Sequence, residues 1–446
     1  MISEGLIVNS LIDQSEDALE WRRAASIDSA YWKAFSGQRW AVRHHYTCSY
    51  MAMFPPELPH YFIHKFTERG DLVLDPFSGR GTTPVQAMSQ LRTGIGNDFN
   101  DLAYALSNGK VANPSEKEVL DRLSGLEKKY NEKKLTYDSK IEAVIPRIRM
   151  IYSDYTLSQL LFLKDELNWR PTLRSTKHNP DRFITMILMG AMHGSSSGFL
   201  SISMPNTFSM GWNYVEKYIE KHDLKKPERN VFEVLSERCK RTLKDGVMSG
   251  IGTITIGDSK KPKTFKHIEE QSIDLIFTSP PYMKVIKYGL YNWIRLWFLL
   301  DSGDHKEVDL KLDDSHSMNN YLNFMRTILE NMKSLMNPNT GVACWVIGDV
   351  TETRNGNEIT INLAEMVAEV ATELGYRVLD IVEDKIESEE KVTKIWNSDS
   401  LEEDKSGKAT AIDRILILGL DSIDLDLCQR KITQNESIKW DRILRN

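Results

Sequence analysis

The residues best suited to chemistry in this 446-residue chain fall in two stretches far apart in sequence. The later one, Ser272 to Tyr282, reads Ser-Ile-Asp-Leu-Ile-Phe-Thr-Ser-Pro-Pro-Tyr. Its apolar half, Ile273 to Phe277 with Asp274 as the one charge, predicts a buried strand. Pro280 and Pro281 each fix φ and lack a backbone donor, so the chain must leave the sheet there. The result is a rigid corner at the carboxyl end of a strand, the edge where open α/β sheets take their ligands. Ser279 offers a hydroxyl, Pro280 a carbonyl oxygen that neither helix nor ladder claims, and Tyr282 an aromatic face. Such a set can hold a planar amine, with acceptors meeting its N–H groups and the ring stacking on the attached base. Taken alone, the same four residues make an ordinary proline turn.

The earlier stretch is Leu72-Val-Leu-Asp-Pro-Phe-Ser-Gly-Arg-Gly-Thr-Thr83, a strand over Asp71 to Phe77 running into a Gly-rich turn. A helix then starts near Pro84. Gly79 and Gly81 let the backbone come close to a ligand, and the helix start supplies free N–H groups. A dinucleotide fingerprint would need a third glycine where Pro84 stands, and no lysine occupies a Walker position. The second strand, Thr93 to Phe99, carries Asp98 near its end, seventeen positions after Gly81. A carboxylate there suits ribose hydroxyls; capping of the next helix is the alternative. A period-2 strand from Gly252 ends likewise in Asp258.

Together these stretches resemble the two signature motifs of the amino-group DNA methyltransferases, which move a methyl group from S-adenosylmethionine to an exocyclic base nitrogen. The resemblance implies S-adenosylmethionine held by Asp75, Phe77, Ser78, Gly79, Gly81, Thr82 and Thr83, with Asp98 at the ribose and Asp258 at the adenine amino group. Thr278 joins that set, as does Phe54, in a segment that closes over the methionine end of the cofactor in the family. A loop and helix merely docked on the sheet is the other reading of Phe54 to Phe66. Catalysis then falls to Ser279, Pro280, Pro281 and Tyr282, with no metal and no covalent intermediate. The implied partner is double-stranded DNA with its target base flipped out. Any restriction or defence role needs a separate partner, since no nuclease signature stands out. Serine at the head of Pro-Pro-Tyr resembles the cytosine-N4 subgroup, whereas aspartate there more often marks adenine-N6 enzymes. An RNA base-amino methyltransferase would use the same sheet, but no RNA-binding module is recognisable. An inactive subunit would have lost the motif residues, and they are intact.

Composition is that of a globular protein, with 41% hydrophobic and 27% charged residues. The net charge of −6 does not advertise nucleic-acid binding, so a basic face would have to be local. The start of the chain does not read as a signal peptide, and the longest apolar stretch, near Ile184 to Met192, is far too short to cross a bilayer. Cys48, Cys239, Cys344 and Cys428 are scattered without metal-ligand spacing, which points to a reducing cytoplasm. None follows a proline, so the Pro-Cys nucleophile of carbon-5 cytosine chemistry is absent.

To position two such motifs, the chain needs an α/β Rossmann-like sheet of the class I methyltransferase type, seven strands with the last antiparallel. The remaining strands fall at Gly341 to Asp349, Tyr376 to Val382 and Arg414 to Leu420, with helices at Leu322 to Met336 and Ile361 to Leu374. Asp384 to Thr410 reads as a mobile charged segment. Residues 1–104 carry N-terminal helices and the first half of the catalytic domain, 105–250 a helical insertion suited to target recognition, and 251–446 the second half. Within the insertion, Lys128, Lys129, Lys133, Lys134, Arg147, Arg149, Arg238, Lys240 and Arg241 are candidates for a basic face. A hydroxyl-rich loop, Gly194 to Ser209, either meets phosphates and bases or is a packed connection.

Overall fold

The computed structural model describes residues 11–35, 39–51, 54–170, 176–204, 211–281, 288–300, 317–354, 357–385 and 408–436. In chain order the main elements begin with α1 (Glu16–Ala25), α2 (Glu57–Phe66), β1 (Leu72–Asp75), α3 (Thr82–Ser89), β2 (Thr93–Asp98) and α4 (Asp101–Val111). A run of helices follows: α5 (Glu116–Asp138), α6 (Asp154–Glu166), α7 (Asn179–Ala191), α8 (Trp212–His222) and α9 (Val231–Thr242). The chain then returns to the sheet through β3 (Ile251–Ile256) and β4 (Leu275–Thr278), followed by α10 (Trp293–Leu299) and α11 (Met318–Lys333). It finishes with β5 (Val342–Arg354), β6 (Asn357–Ile361), α12 (Leu363–Glu373), β7 (Tyr376–Lys385), β8 (Lys408–Leu420) and α13 (Leu425–Glu436).

The strands form one sheet in the order β3-β2-β1-β4-β5-β8-β7, with β6 folded back on the far end of β5 as a hairpin. β1 to β5 pair in parallel, and β8 runs antiparallel between β5 and β7. This is the seven-stranded path expected, with its last strand antiparallel. The β6 hairpin is additional, and only its last residue, Ile361, falls in the stretch read from sequence as a helix.

Alternation along the central strands explains why both faces of the sheet are covered. Leu74 and Ile276 point to one side, into a core shared with Phe324, Ile328 and Met332 of α11 and Val367 and Ala371 of α12. Val73, Leu275 and Phe277 point to the other, against Trp21 of α1, Phe62 and Phe66 of α2 and Cys428 of α13. Successive side chains of a strand face opposite ways, so a strand sandwiched between two helix layers must be apolar throughout. Leu275 to Thr278 is buried at every position.

The helical run after β2 has a separate core. α5 starts with a complete capping box, in which the Ser115 hydroxyl accepts the Glu118 N–H while the Glu118 carboxylate accepts from Ser115. Its inward residues Val119, Leu123, Leu126 and Tyr130 meet α6, α7 and α9, and α10 from beyond the proline corner joins the same cluster through Trp293, Leu296 and Phe298. The boundary expected at 104/105 falls within a helix. It cuts through α4, which continues to Val111 and packs on β3 as the crossover between β2 and β3. The four cysteines are buried free thiols. Among the described residues no helix is long and apolar enough to cross a membrane.

Candidate active site

The chain runs outward from β1 through β2 to β3, then returns to place β4 on the other side of β1. That reversal makes the carboxyl ends of β1 and β4 a topological switch point, where such sheets open a crevice. The two chemical stretches meet there, although some two hundred positions separate them in sequence. Val73 pairs with Leu275 and Leu74 with Ile276. Beyond the pairing, the Thr278 hydroxyl donates to Asp75 Oδ1 at 2.6 Å and the Thr83 hydroxyl donates to the Phe277 carbonyl at 3.2 Å.

Asp75 therefore sits under the site as a strut. It is 1% exposed and also accepts the Phe77 N–H at 3.1 Å. Burial pushes its pKa up to about 7, against the opposing hydrogen bonds from Thr278, Phe77 and Thr83. The loop above turns tightly: the Gly81 N–H reaches back to the Ser78 carbonyl at 2.6 Å, with Gly79 and Gly81 at φ of 49° and 83°. A side chain on Gly81 would lie 2.8 Å from Ser107 Cβ on α4, so the loop can lie this low only with glycine there. Thr82 and Thr83 open α3 directly behind it.

Asp98, at the end of β2, accepts the Gly79 N–H at 2.8 Å on one oxygen and the Asn100 N–H at 2.8 Å on the other. Surrounding atoms raise its pKa to about 6 although three backbone N–H groups favour the charge, and its side chain keeps a partly exposed edge. The alternative role, capping α4, belongs instead to Asn100, whose side chain accepts the Leu102 N–H. Asp258 follows β3 on the adjacent strand, where it accepts the Lys260 N–H and has Lys261 Nζ at 3.6 Å. Asp98 and Asp258 thus stand side by side at one sheet edge.

Ser279, Pro280 and Pro281 leave β4 at that same edge, Pro280 buried and its neighbours partly exposed. Tyr282 lies outside the described residues. Phe77 turns away from the loop and packs 5.7 Å from Phe324 of α11. Phe54 stands edge-on to Phe277 at 5.5 Å, against the strand that carries the corner.

Two further residues shape the site without being singled out by the sequence. Asn97 is fully buried: its amide donates to the Gly257 carbonyl and to the Ser259 hydroxyl, both at 2.9 Å, while its carbonyl accepts from Thr255 at 2.9 Å. It fastens the ends of β2 and β3 together. A polar residue in the otherwise small-and-apolar run Thr93-Gly-Ile-Gly-Asn97 was the available signal. Tyr50, buried, lies over Gly79, stacks on Tyr288 with centroids 5.8 Å apart and accepts a hydrogen bond from Asn100 at 3.2 Å. Nothing local in sequence marks it.

The arrangement fits an adenosine-bearing cofactor. The turn presents backbone where any side chain on Gly81 would collide, the buried Ser78 hydroxyl has no hydrogen-bond partner among the described residues, and two carboxylates end adjacent strands.

A DNA methylase family profile matches residues 17–108, which contain the loop, Asp75 and Asp98. Over that segment, about a fifth of its length, the chain is similar to the amino-group (N4/N6) DNA methyltransferases. Over 364 residues it is 22% identical to the Type II methyltransferase M.MjaII of Methanocaldococcus jannaschii, covering 65% of this chain and 69% of that one. A shorter stretch of 60 residues is 45% identical to the Type II methyltransferase M.BglI of Bacillus subtilis, 14% of this chain and 17% of the relative. Among solved structures, the rRNA methyltransferase aviRa of Streptomyces viridochromogenes aligns over 83% of this chain and 87% of its own, at 8% identity and a TM-score of 0.30.

Proposed function

We propose that this methyltransferase moves the methyl group of S-adenosylmethionine to the exocyclic N4 of cytosine in double-stranded DNA, with adenine N6 as the alternative target. One observation supports this above the others: the pairing of β1 with β4 and the Thr278–Asp75 hydrogen bond bring the glycine loop and the Ser279-Pro280-Pro281 corner to the carboxyl ends of neighbouring strands. When bound, the cofactor supplies a methyl group already activated on a sulfonium. Asp98 would accept from its ribose hydroxyls, Asp258 from its adenine amino group, and the Gly79–Gly81 backbone would lie against it.

The chain's own contribution is alignment. An aromatic amine is a weak nucleophile because its lone pair is shared with the ring. Acceptors at Ser279 and the Pro280 carbonyl would hold the amino hydrogens and bring nitrogen towards tetrahedral geometry, freeing the lone pair for the methyl group. The nitrogen then gives up one proton. Tyr282 would stack on the flipped base. Serine at the head of the motif favours cytosine N4, and the names of the Type II relatives favour a modification role alongside a separate endonuclease.

The test is labelled methyl transfer to mixed-sequence DNA and to RNA, with the modified nucleoside identified by mass spectrometry. N4-methylcytosine, reduced about a hundredfold or more in Ser279→Ala, is the expected result. N6-methyladenine would overturn the target atom, and label in RNA alone would overturn the substrate.

A further inference from the structure

A groove of about 1880 Å³ runs along the flank of the protein. One wall is the turn Arg43–Tyr46 with the ends of α2 and α3, and the other is α7, α9 and the stretch after α9. At Ser49 the groove adjoins Tyr50 of the candidate site, and at Arg69 and Arg92 it reaches the opposite edge of the sheet, where β1 and β2 begin. Its ends are thus separated by at least the length of β2, roughly 20 Å. Small-molecule pockets are usually about 300–1,000 Å³, so a groove this long and large suits a polymer.

Its charge opposes that of the whole chain. Net charge is −6, yet eight arginines and no lysine line the groove against three carboxylates. Arg43 is paired with Asp245. Arg39, Arg69, Arg229 and Arg241 form no ion pair among the described residues. Carbonyls rather than carboxylates hold Arg238, which donates to Gly190 and Gly198 at 3.0 and 2.8 Å with its guanidinium over the Phe199 ring. Such anchoring orients a guanidinium without neutralising it, and its planar fork then matches phosphate oxygens. His44, 1% exposed in the groove wall, has neither ring nitrogen hydrogen-bonded among the described residues. The lysines of α5 differ: Lys129 and Lys133 pair with Glu166, and Lys134 with Asp138.

We propose that this groove is the track for the sugar–phosphate backbone of duplex DNA, with phosphates taken by Arg69, Arg229, Arg238 and Arg241, and that the lysine face of α5 is solvated surface. This rests on the reading of DNA as the substrate. It relocates the basic face from the outside of the insertion to the seam between insertion and sheet, next to the crevice a flipped base must enter.

The experiment measures binding of a fluorescent mixed-sequence duplex to the full chain across a salt series. It compares wild type with the exposed pair Arg69→Gln/Arg241→Gln and with Lys128→Gln/Lys134→Gln on α5. Each phosphate contact contributes about 0.9 to the slope of log affinity against log salt, so the groove variant should flatten that slope by about 2 and bind about tenfold more weakly at low salt. The α5 variant should match wild type, and both should retain wild-type cofactor affinity. An unchanged slope in the groove variant or an equal loss in both variants would overturn the assignment. Groove-dependent duplex binding without methyl transfer would sink the proposed reaction and leave the groove standing. Methyl transfer to DNA that is indifferent to the groove variant would do the reverse.

Discussion

Replacing Asp75 by asparagine should change how stability depends on pH. Asp75 is 1% exposed, and its Oδ1 accepts from Thr278 and from the Phe77 N–H, both of which an asparagine carbonyl can replace. Burial raises its folded-state pKa from 3.8 to about 7. Between those values the folded protein holds a proton that the unfolded chain has released. Stability contributed by this group is therefore greatest in acid, falls as pH rises, and levels off above about 7. The slope is about 1.4 kcal/mol per pH unit, which makes roughly 2–3 kcal/mol between about pH 5 and pH 8. The Asp75→Asn variant has no charge to bury at this position and lacks this fall. Urea unfolding of both proteins at intervals across that range measures it, and the quantity to follow is wild-type minus variant stability. That difference should decrease steadily and flatten near pH 7. A difference constant to about 0.5 kcal/mol would mean that the carboxylate is charged throughout, and the strut would have to be an ionised one.

Gly81→Ala forces a side chain onto a φ of 83° and sets Cβ 2.8 Å from Ser107, so a loss of about 2–4 kcal/mol is expected in urea unfolding. A loss below about 1 kcal/mol would mean that the loop has room to rise. Asn97→Leu keeps the branched shape but strands the Gly257 carbonyl and removes the acceptor of the Thr255 hydroxyl at 2.9 Å, at a cost of roughly 2–4 kcal/mol by the same measurement. Asp98→Asn should still accept the Gly79 N–H, leaving the fold intact while cofactor affinity drops about 10- to 100-fold in calorimetric titration. Unchanged affinity would remove Asp98 from the ribose.

The central strands and both motifs are legible because their signals are local. A strand buried between two helix layers has to be a continuous apolar run, and Leu275 to Thr278 is one. Two prolines end it at Pro280 whatever the surroundings, and Gly79 and Gly81 announce a turn that other residues would strain. Element ends are less visible. β5 continues to Arg354 and pairs with β6 over polar residues such as Thr351 and Thr360, which carry no buried-strand signature. The change of pattern after Ala103 assigns α4 to the insertion, whereas packing on β3 makes it part of the sheet layer.

What the sequence by itself determined is the chemistry at each point: a tight glycine turn, a proline corner with acceptors, carboxylates at strand ends, and an acidic chain overall. These follow from the covalent limits of single residues and from periodicities a few residues long. Only the tertiary structure decided what meets what. It joined Thr278 to Asp75, made Asn97 the clasp between two strands, laid Tyr50 over Gly79, and brought α10 into the insertion's core. It also gathered arginines from residue 39 to residue 295 into one groove while pairing off Lys129, Lys133 and Lys134 of α5. Contacts between residues so far apart in sequence leave no local periodicity, because they depend on which strands and helices become neighbours once the apolar faces are buried.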